Sequence, residues 1–355
     1  MIRLRLIGDV VLTTPIIRAL RRARPDAHLS YLVEPLAAPV VAHNPHLDDI
    51  IVAPLSRGAA RFMQDAALGW QLRRRGYDAV LDFHGGPRSS WLALASGAPV
   101  RIGYAVAGRG WMYTQQVPRP RNHRPRHSVE NQWDVADALM PNLPRPTPSA
   151  DPVEMPEDTA ATAALRARLA ASGIDESTEA IVMHVGAGNE FRRWPEQSFA
   201  EVGAALVSAR PNRRIILTTG AAQAASAAAV AAGMAALGAT ARTYITMCDL
   251  DLASVRSLMG LASLFVGGDS GPAHIAATTK VPMVVIFGPT TPSVWGPWRP
   301  PSLVAEHVQV DVPCRPCDQR RCGPGDLRCL TWSGSDAVVA AAERALARVG
   351  AAGAS

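Results

Sequence analysis

Apolar runs followed by amphipathic segments recur along the first half of the chain: "PIIRALRRARPDAHLSYLV", "IIVAPL", "DAALGWQLRRRGYDAVLDFHG" and "SSWLALASGAPVRIGY". Strands alternating with helices predict right-handed crossovers and a parallel sheet. Residues 141–156, "PNLPRPTPSADPVEMP", are dense in proline and lack apolar periodicity, which marks them as the linker. Beyond them the alternation restarts. A helix over about 158–172 is followed by strand-like "AIVMHVGAGN", helical "SFAEVGAALVSA", strand-like "RRIILTTG", an alanine-rich helix, helical "LDLASVRSLMGLAS", and then "LFVGGDSG", "PAHIAATTK" and "PMVVIFGP". These strands are nearly continuous Val/Ile/Leu runs, as expected when both sheet faces are covered. The pattern predicts an α/β protein of two Rossmann-like domains, 1–150 and 151–335. A C-terminal helix and tail, 336–355, carries little signal beyond helix propensity. Two such domains in tandem place their carboxyl-end crevices where a ligand lies between them, which suits an enzyme joining two substrates.

Length agrees: 355 residues, 48% of them hydrophobic, exceed one α/β domain. No apolar run approaches ~18 residues and no leader pattern opens the chain, so it reads as soluble, unexported and cytoplasmic. The net charge of +6 is unevenly placed, +8 over residues 1–150 and −2 over the remainder, and Lys280 is the single lysine. The excess points the N-terminal half toward an anionic partner. Few aromatics and no recognised motif argue against nucleic acid. A basic face also allows peripheral contact with an anionic inner-membrane leaflet without an anchor.

Three motifs carry the chemistry. In "GDVVLTTP", Asp9 follows the strand-like "IRLRLI" just before a helix, where a carboxylate either caps the helix or serves as a general base at the carboxyl end of the first strand. In "HVGAGNEFRRWPEQSF", Gly186 and Gly188 allow a sharp turn that exposes N–H groups to an anion, beside Asn189. The tandem Arg192 and Arg193 either grip a diphosphate or are solvated. This is neither a P-loop nor a dinucleotide fingerprint. In "GGDSGPAH", Ser270 and Gly271 offer hydroxyl and N–H donors ahead of a Pro-initiated helix, Asp269 is placed to accept from sugar hydroxyls, and His274 is either a crevice group or a packed histidine.

Together with "SGAPVRIGY" and "VPMVVIFGPTTPSVWGPW", these stretches resemble glycosyltransferase family 9, the ADP-heptose:lipopolysaccharide heptosyltransferases, in the right order over most of the chain. The resemblance implies a GT-B fold with the acceptor on the N-terminal domain and the nucleotide sugar on the C-terminal one. It implies inversion at the anomeric carbon without a metal or other cofactor, Asp9 as general base, Arg192 on the donor diphosphate, and Asp269, Ser270, Gly271 and His274 as the donor motif. Gln223 stands where relatives carry a Glu facing the ribose. A phosphorylated lipopolysaccharide core fits the basic N-terminal half, with Arg57, Arg61, Arg88, Arg101, Arg119, Arg121, Arg124 and Arg126 as candidates. The run before "GDVV" is shorter than the family's usual first strand. A relative using another sugar or acceptor, and a nucleotide-sugar-binding protein without turnover, are the alternatives.

Four of the five cysteines form C-x2-C-x4-C-x6-C: Cys314, Cys317, Cys322 and Cys329. In a reducing compartment this clustering reads as a structural zinc or iron site, as free thiols, or as a disulfide. No histidine lies within the cluster to make it catalytic.

Overall fold

The computed structural model describes residues 1–56, 58–119, 126–240 and 243–353. The chain divides into two compact units, Met1–Pro156 and Glu157–Ser355.

In the first unit the strands are β1 (Ser30–Val33), β2 (Asp49–Val52), β3 (Ala79–Leu81), β4 (Val100–Tyr104) and β5 (Gln115–Val117). β1 pairs with β2, and β3, β4 and β5 pair in that order, all parallel. The expected strand "IRLRLI" is reduced to Ile2, which bridges Leu32 and Asp82 and so joins the two small sheets. Counting Ile2 as strand 1, the order is 3-2-1-4-5-6.

Helix α1 (Ile7–Val11) starts directly afterwards, placing Asp9 inside a helix rather than ahead of one. In α2 (Thr14–Ala23), Ile16, Ala19 and Leu20 form a buried stripe at helical spacing, Pro15 sits in the first turn, and the helix stops just before Pro25. Together with α5 (Ser128–Leu139) it covers one face of the sheet through Phe83, Ile102 and the fully buried Trp133. Helices α3 (Gly58–Arg74) and α4 (Pro87–Ala95) cover the other through Leu68, Leu72 and Leu92. Removing each such side chain from water contributes about 1.5–3 kcal/mol.

Residues 141–156 do not hang free as a linker. Val153 and Met155 are buried, Arg22 donates to Asp151 (2.9 Å), and the Glu154 N–H donates to Thr14 (2.9 Å). Proline removes helix and sheet options here, but side-chain anchors still bind the segment to the first unit.

The second unit opens with α6 (Thr159–Ala171), capped by Asp158 through the Ala161 N–H (3.0 Å). Then follow β6 (Glu179–His184), α7 (Glu196–Ala209), β7 (Arg213–Thr218), α8 (Ala224–Ala236), β8 (Tyr244–Met247), α9 (Leu252–Leu261) and β9 (Leu264–Gly268). The unit continues with α10 (Gly271–Ala277), β10 (Met283–Ile286), α11 (Pro292–Trp295), β11 (Ala305–Val308), α12 (Arg328–Thr331) and α13 (Ser335–Gly353). One six-stranded parallel sheet runs β11-β10-β9-β6-β7-β8, again 3-2-1-4-5-6 in the unit's own count.

β9 and β10 are buried at every residue. The C-terminal helix is part of this core rather than a tail: Val338, Ala341, Ala342 and Ala345 pack into it, and Glu343 binds the buried guanidinium of Arg213 (2.9 Å to Nη2). Among the described residues no helix is long and apolar enough to cross a membrane.

Candidate active site

In a sheet of this order the strand sequence reverses between the first and fourth strands, leaving a crevice at their carboxyl ends. In the second unit those strands are β6 and β9, and they deliver "GAGN" and "GGDSG" side by side.

Below the first turn, His184 is buried with Nδ1 3.1 Å from the Thr218 hydroxyl. Burial pushes its pKa down to about 4, so a neutral imidazole underlies the turn at pH 7. Above it, the Ala187 carbonyl accepts from Gln223 Nε2 (2.7 Å) and Arg193 Nε (3.0 Å), so these two side chains brace the glycine turn. A Cβ on Gly186 would stand 2.3 Å from Gln223 Oε1, so any side chain there would displace the Gln223 amide from the turn. Gly188 has nothing within 4 Å of where its Cβ would be. Asn189 caps the short turn Glu190–Arg192, accepting from the Phe191 N–H (2.9 Å).

Arg192 reaches from this turn to the second loop, donating from Nη1 to Asp269 Oδ2 (3.2 Å). That oxygen also accepts from Thr290 Oγ1 (2.6 Å). Asp269 is 2% exposed, yet among the described residues its Oδ1 accepts no hydrogen bond; His274 Nε2 lies 3.7 Å from it. The Ser270 hydroxyl is likewise buried and unpartnered, at the cap of the helix that Gly271 begins. Buried polar atoms without partners are uncommon, because each costs about 1–3 kcal/mol. Two of them beside an arginine and a helix start form a place for hydroxyl and phosphate groups.

At the matching position of the first unit, Arg3 Nη2 lies 2.6 Å from Asp9 Oδ2, and the Leu6 N–H donates to the same oxygen (3.3 Å). Among the described residues no hydrogen bond engages Oδ1. The cap and base readings of Asp9 are therefore compatible, one oxygen for each. Arg3 is itself fixed by donating to the Phe83 carbonyl. Nearby, Asp82 is fully buried and accepts from Tyr113 Oη (2.7 Å) and from the His84 and Gly85 N–H groups (2.8 and 3.0 Å), which shapes the loop after β3. The His84 pKa is pushed down, first by burial and then by the Arg3 charge.

The arginines expected to meet an acceptor separate into kinds. Arg88 is turned inward against Glu34 (3.0 Å), Asp65 (2.6 Å) and the Pro54 carbonyl (2.7 Å), so it staples three loops together. Arg101 also folds back, onto the Met112 and Ala98 carbonyls (3.0 and 2.5 Å). Arg126 pairs with Asp134 (2.5 Å). Arg61 remains half exposed on α3, 3.7 Å from Asp65. Arg57, Arg121 and Arg124 lie outside the described residues.

Cys314, Cys317, Cys322 and Cys329 form no disulfide, and among the described residues no group of three or more His, Cys, Asp or Glu side chains is arranged to hold a metal ion. Cys314 is exposed, whereas Cys329 is buried, which pushes its pKa up.

Two contributors escaped the sequence reading. Arg3 sits in a stretch read as strand, and Thr290 sits in the quoted "FGPTTP" but was not singled out.

Comparison with solved structures places this architecture. The family 9 glycosyl transferase from Veillonella parvula matches with a TM-score of 0.84 at 21% identity, covering 98% of this chain and 96% of that one. The ADP-heptose lipopolysaccharide heptosyltransferase II of Escherichia coli matches with a TM-score of 0.75 at 19% identity, covering 98% of each. The fold class is thus α/β, GT-B. In sequence, a lipopolysaccharide heptosyltransferase 3 from Escherichia coli is 27% identical over 306 residues, 83% of this chain and 84% of its own. The family model described as glycosyltransferase family 9 (heptosyltransferase) matches residues 66–326. The chain belongs to that family and is a glycosyltransferase.

Proposed function

We propose that this enzyme transfers heptose from ADP-heptose to a phosphorylated lipopolysaccharide inner-core acceptor, inverting the anomeric centre without a metal. The observation that carries the reading is the switch-point cluster of the second unit, where Arg192, the unpartnered Asp269 Oδ1 and the unpartnered Ser270 hydroxyl converge. The names of its heptosyltransferase relatives support ADP-heptose as donor and lipopolysaccharide as acceptor.

Departure of ADP places negative charge on the diphosphate and positive charge on the sugar ring. Arg192 and the backbone N–H groups at Ser270 and Gly271 stabilise the first. Asp269 Oδ1 accepts from a hydroxyl of the donor, and Gly186, Gly188 and Asn189 shape the turn that receives the nucleotide. Asp9 takes the acceptor proton through Oδ1 while Arg3 holds Oδ2. Arg61 and the other exposed arginines of the first unit meet the acceptor phosphates. Peripheral contact with the inner leaflet is part of the same reading.

A thermal-shift series with ADP, UDP, GDP and CMP tests the donor. A ligand that binds only the folded state raises its melting temperature. Selective stabilisation by ADP, and more by ADP-heptose, is the expected result; a preference for UDP or GDP would remove ADP-heptose as donor.

A further inference from the structure

Arg192 is gripped from a part of the chain that the chemistry above does not use. The cysteine-rich segment between Val312 and Leu330 is anchored at both ends by burial of those two residues. Near its start, Arg315 ties it to the loop after β10 by donating to the Gly288 carbonyl (2.7 Å), and to the stretch after β11 by donating to the Val310 carbonyl (2.7 Å). At its far bend Gln319 adopts a φ of 56°, a conformation few non-glycine residues take, and its side chain turns back to the β6 loop. Its Oε1 accepts from Arg192 Nε (2.6 Å) and Asn189 Nδ2 (3.3 Å).

We infer that Gln319 is a positioning residue for the donor site, holding the Nε edge of Arg192 so that the guanidinium meets the donor diphosphate in a fixed plane. A guanidinium is a planar fork that rewards fixed orientation. With Nε held by Gln319 and Nη1 by Asp269, its plane is set before ligand arrives, and among the described residues Nη2 is engaged by no hydrogen bond. Preorganisation of this kind raises affinity by removing the ordering cost at binding. The segment that carries four cysteines thereby gains a role at the donor site without any of them touching it. The inference rests on Arg192 as the diphosphate contact.

The test is calorimetric titration of ADP into four proteins: wild type, Gln319→Met, Arg192→Met and the double variant. Losing one positioning hydrogen bond to a charged group is expected to weaken ADP about fivefold in Gln319→Met. The melting temperature of the ligand-free protein should fall by no more than a few degrees, the cost of one hydrogen bond. Arg192→Met should weaken ADP more, and in its background Gln319→Met should add nothing. If Arg192→Met weakens ADP while Gln319→Met binds it as wild type does, or if the two effects multiply in the double variant, Gln319 does not act through Arg192 and the inference is overturned. If Arg192→Met itself binds ADP unchanged, the diphosphate assignment is what fails, and the inference goes with it.

Discussion

Replacing Asp9 with asparagine keeps the size and the acceptor oxygen that faces Arg3 but removes the ability to take a proton. The carboxylate is 16% exposed, with Arg3 Nη2 2.6 Å from one oxygen and the Leu6 N–H on the same oxygen. Asparagine can still accept there, so the local structure should hold, with a stability loss of about 1 kcal/mol from weakening a partly buried charged contact. The catalytic loss should be far larger. A positioned general base contributes about 10²- to 10⁴-fold, or roughly 3–5 kcal/mol of barrier.

The assay is steady-state release of ADP from ADP-heptose with a heptose-deficient inner-core acceptor, paired with ADP titration. The expected pattern is kcat lower by two to four orders of magnitude with ADP affinity unchanged. Asp9→Asn turning over within a few-fold of wild type in a working assay would refute the base assignment and leave Asp9 as a helix cap.

Thr290→Val removes the hydroxyl that binds Asp269 and leaves a carboxylate oxygen short of a partner. ADP-heptose affinity should fall about tenfold, measured by titration, with most of the cost arising from that buried group. His184 should make stability pH-dependent. Its ordinary value near 6.5 applies to the unfolded chain and about 4 to the folded one, so the unfolded chain binds the proton first. Stability is then flat above neutrality, declines as pH falls through 6.5 and levels off below 4. Urea unfolding at about pH 5 should give roughly 2 kcal/mol less stability than at pH 7 from this group, a difference absent in His184→Gln. Transfer should proceed in excess EDTA at the rate seen with added magnesium; a loss of more than about tenfold would contradict metal-independent leaving-group stabilisation by Arg192 and the loop N–H groups.

The second unit's sheet was legible because its central strands, β6 and β9, are apolar runs, and the two loops after them stood out because glycine, carboxylate and arginine cluster where such strands end. Three features were not. The first strand shrank to the Ile2 bridge although "IRLRLI" alternates as a strand does, because Arg3 is held by Asp9 and the Phe83 carbonyl and a helix begins at Ile7, contacts that the local pattern does not carry. The final helix looked empty because its buried stripe is Val338 followed by alanines, with too little hydrophobic contrast to stand out in an alanine-rich chain. Composition marked 141–156 as a linker, yet Asp151 and Glu154 find partners more than a hundred residues earlier in the chain, and such pairings leave no local trace. Arg88 illustrates the same limit at the site. Its charge was visible, but its enclosure by Glu34, Asp65 and Pro54 depends on three separate stretches of sequence. Gln319 lay inside the cysteine motif but was itself unmarked, since its significance lies in facing Arg192 across 127 positions.

The central claim is heptosyl transfer from ADP-heptose, and the most direct measurement is product analysis. Purified enzyme is incubated with ADP-heptose and a heptose-deficient, phosphorylated inner-core acceptor, and the glycolipid is examined by mass spectrometry and by NMR of the new anomeric proton. The account predicts a gain of one heptosyl residue, matching release of ADP, and an anomeric configuration opposite to that of the donor. Release of ADP with retained configuration would contradict the single displacement assisted by Asp9. No glycosylated product, from a protein that binds ADP-heptose and with the acceptor shown competent by a known heptosyltransferase, would contradict the claim itself.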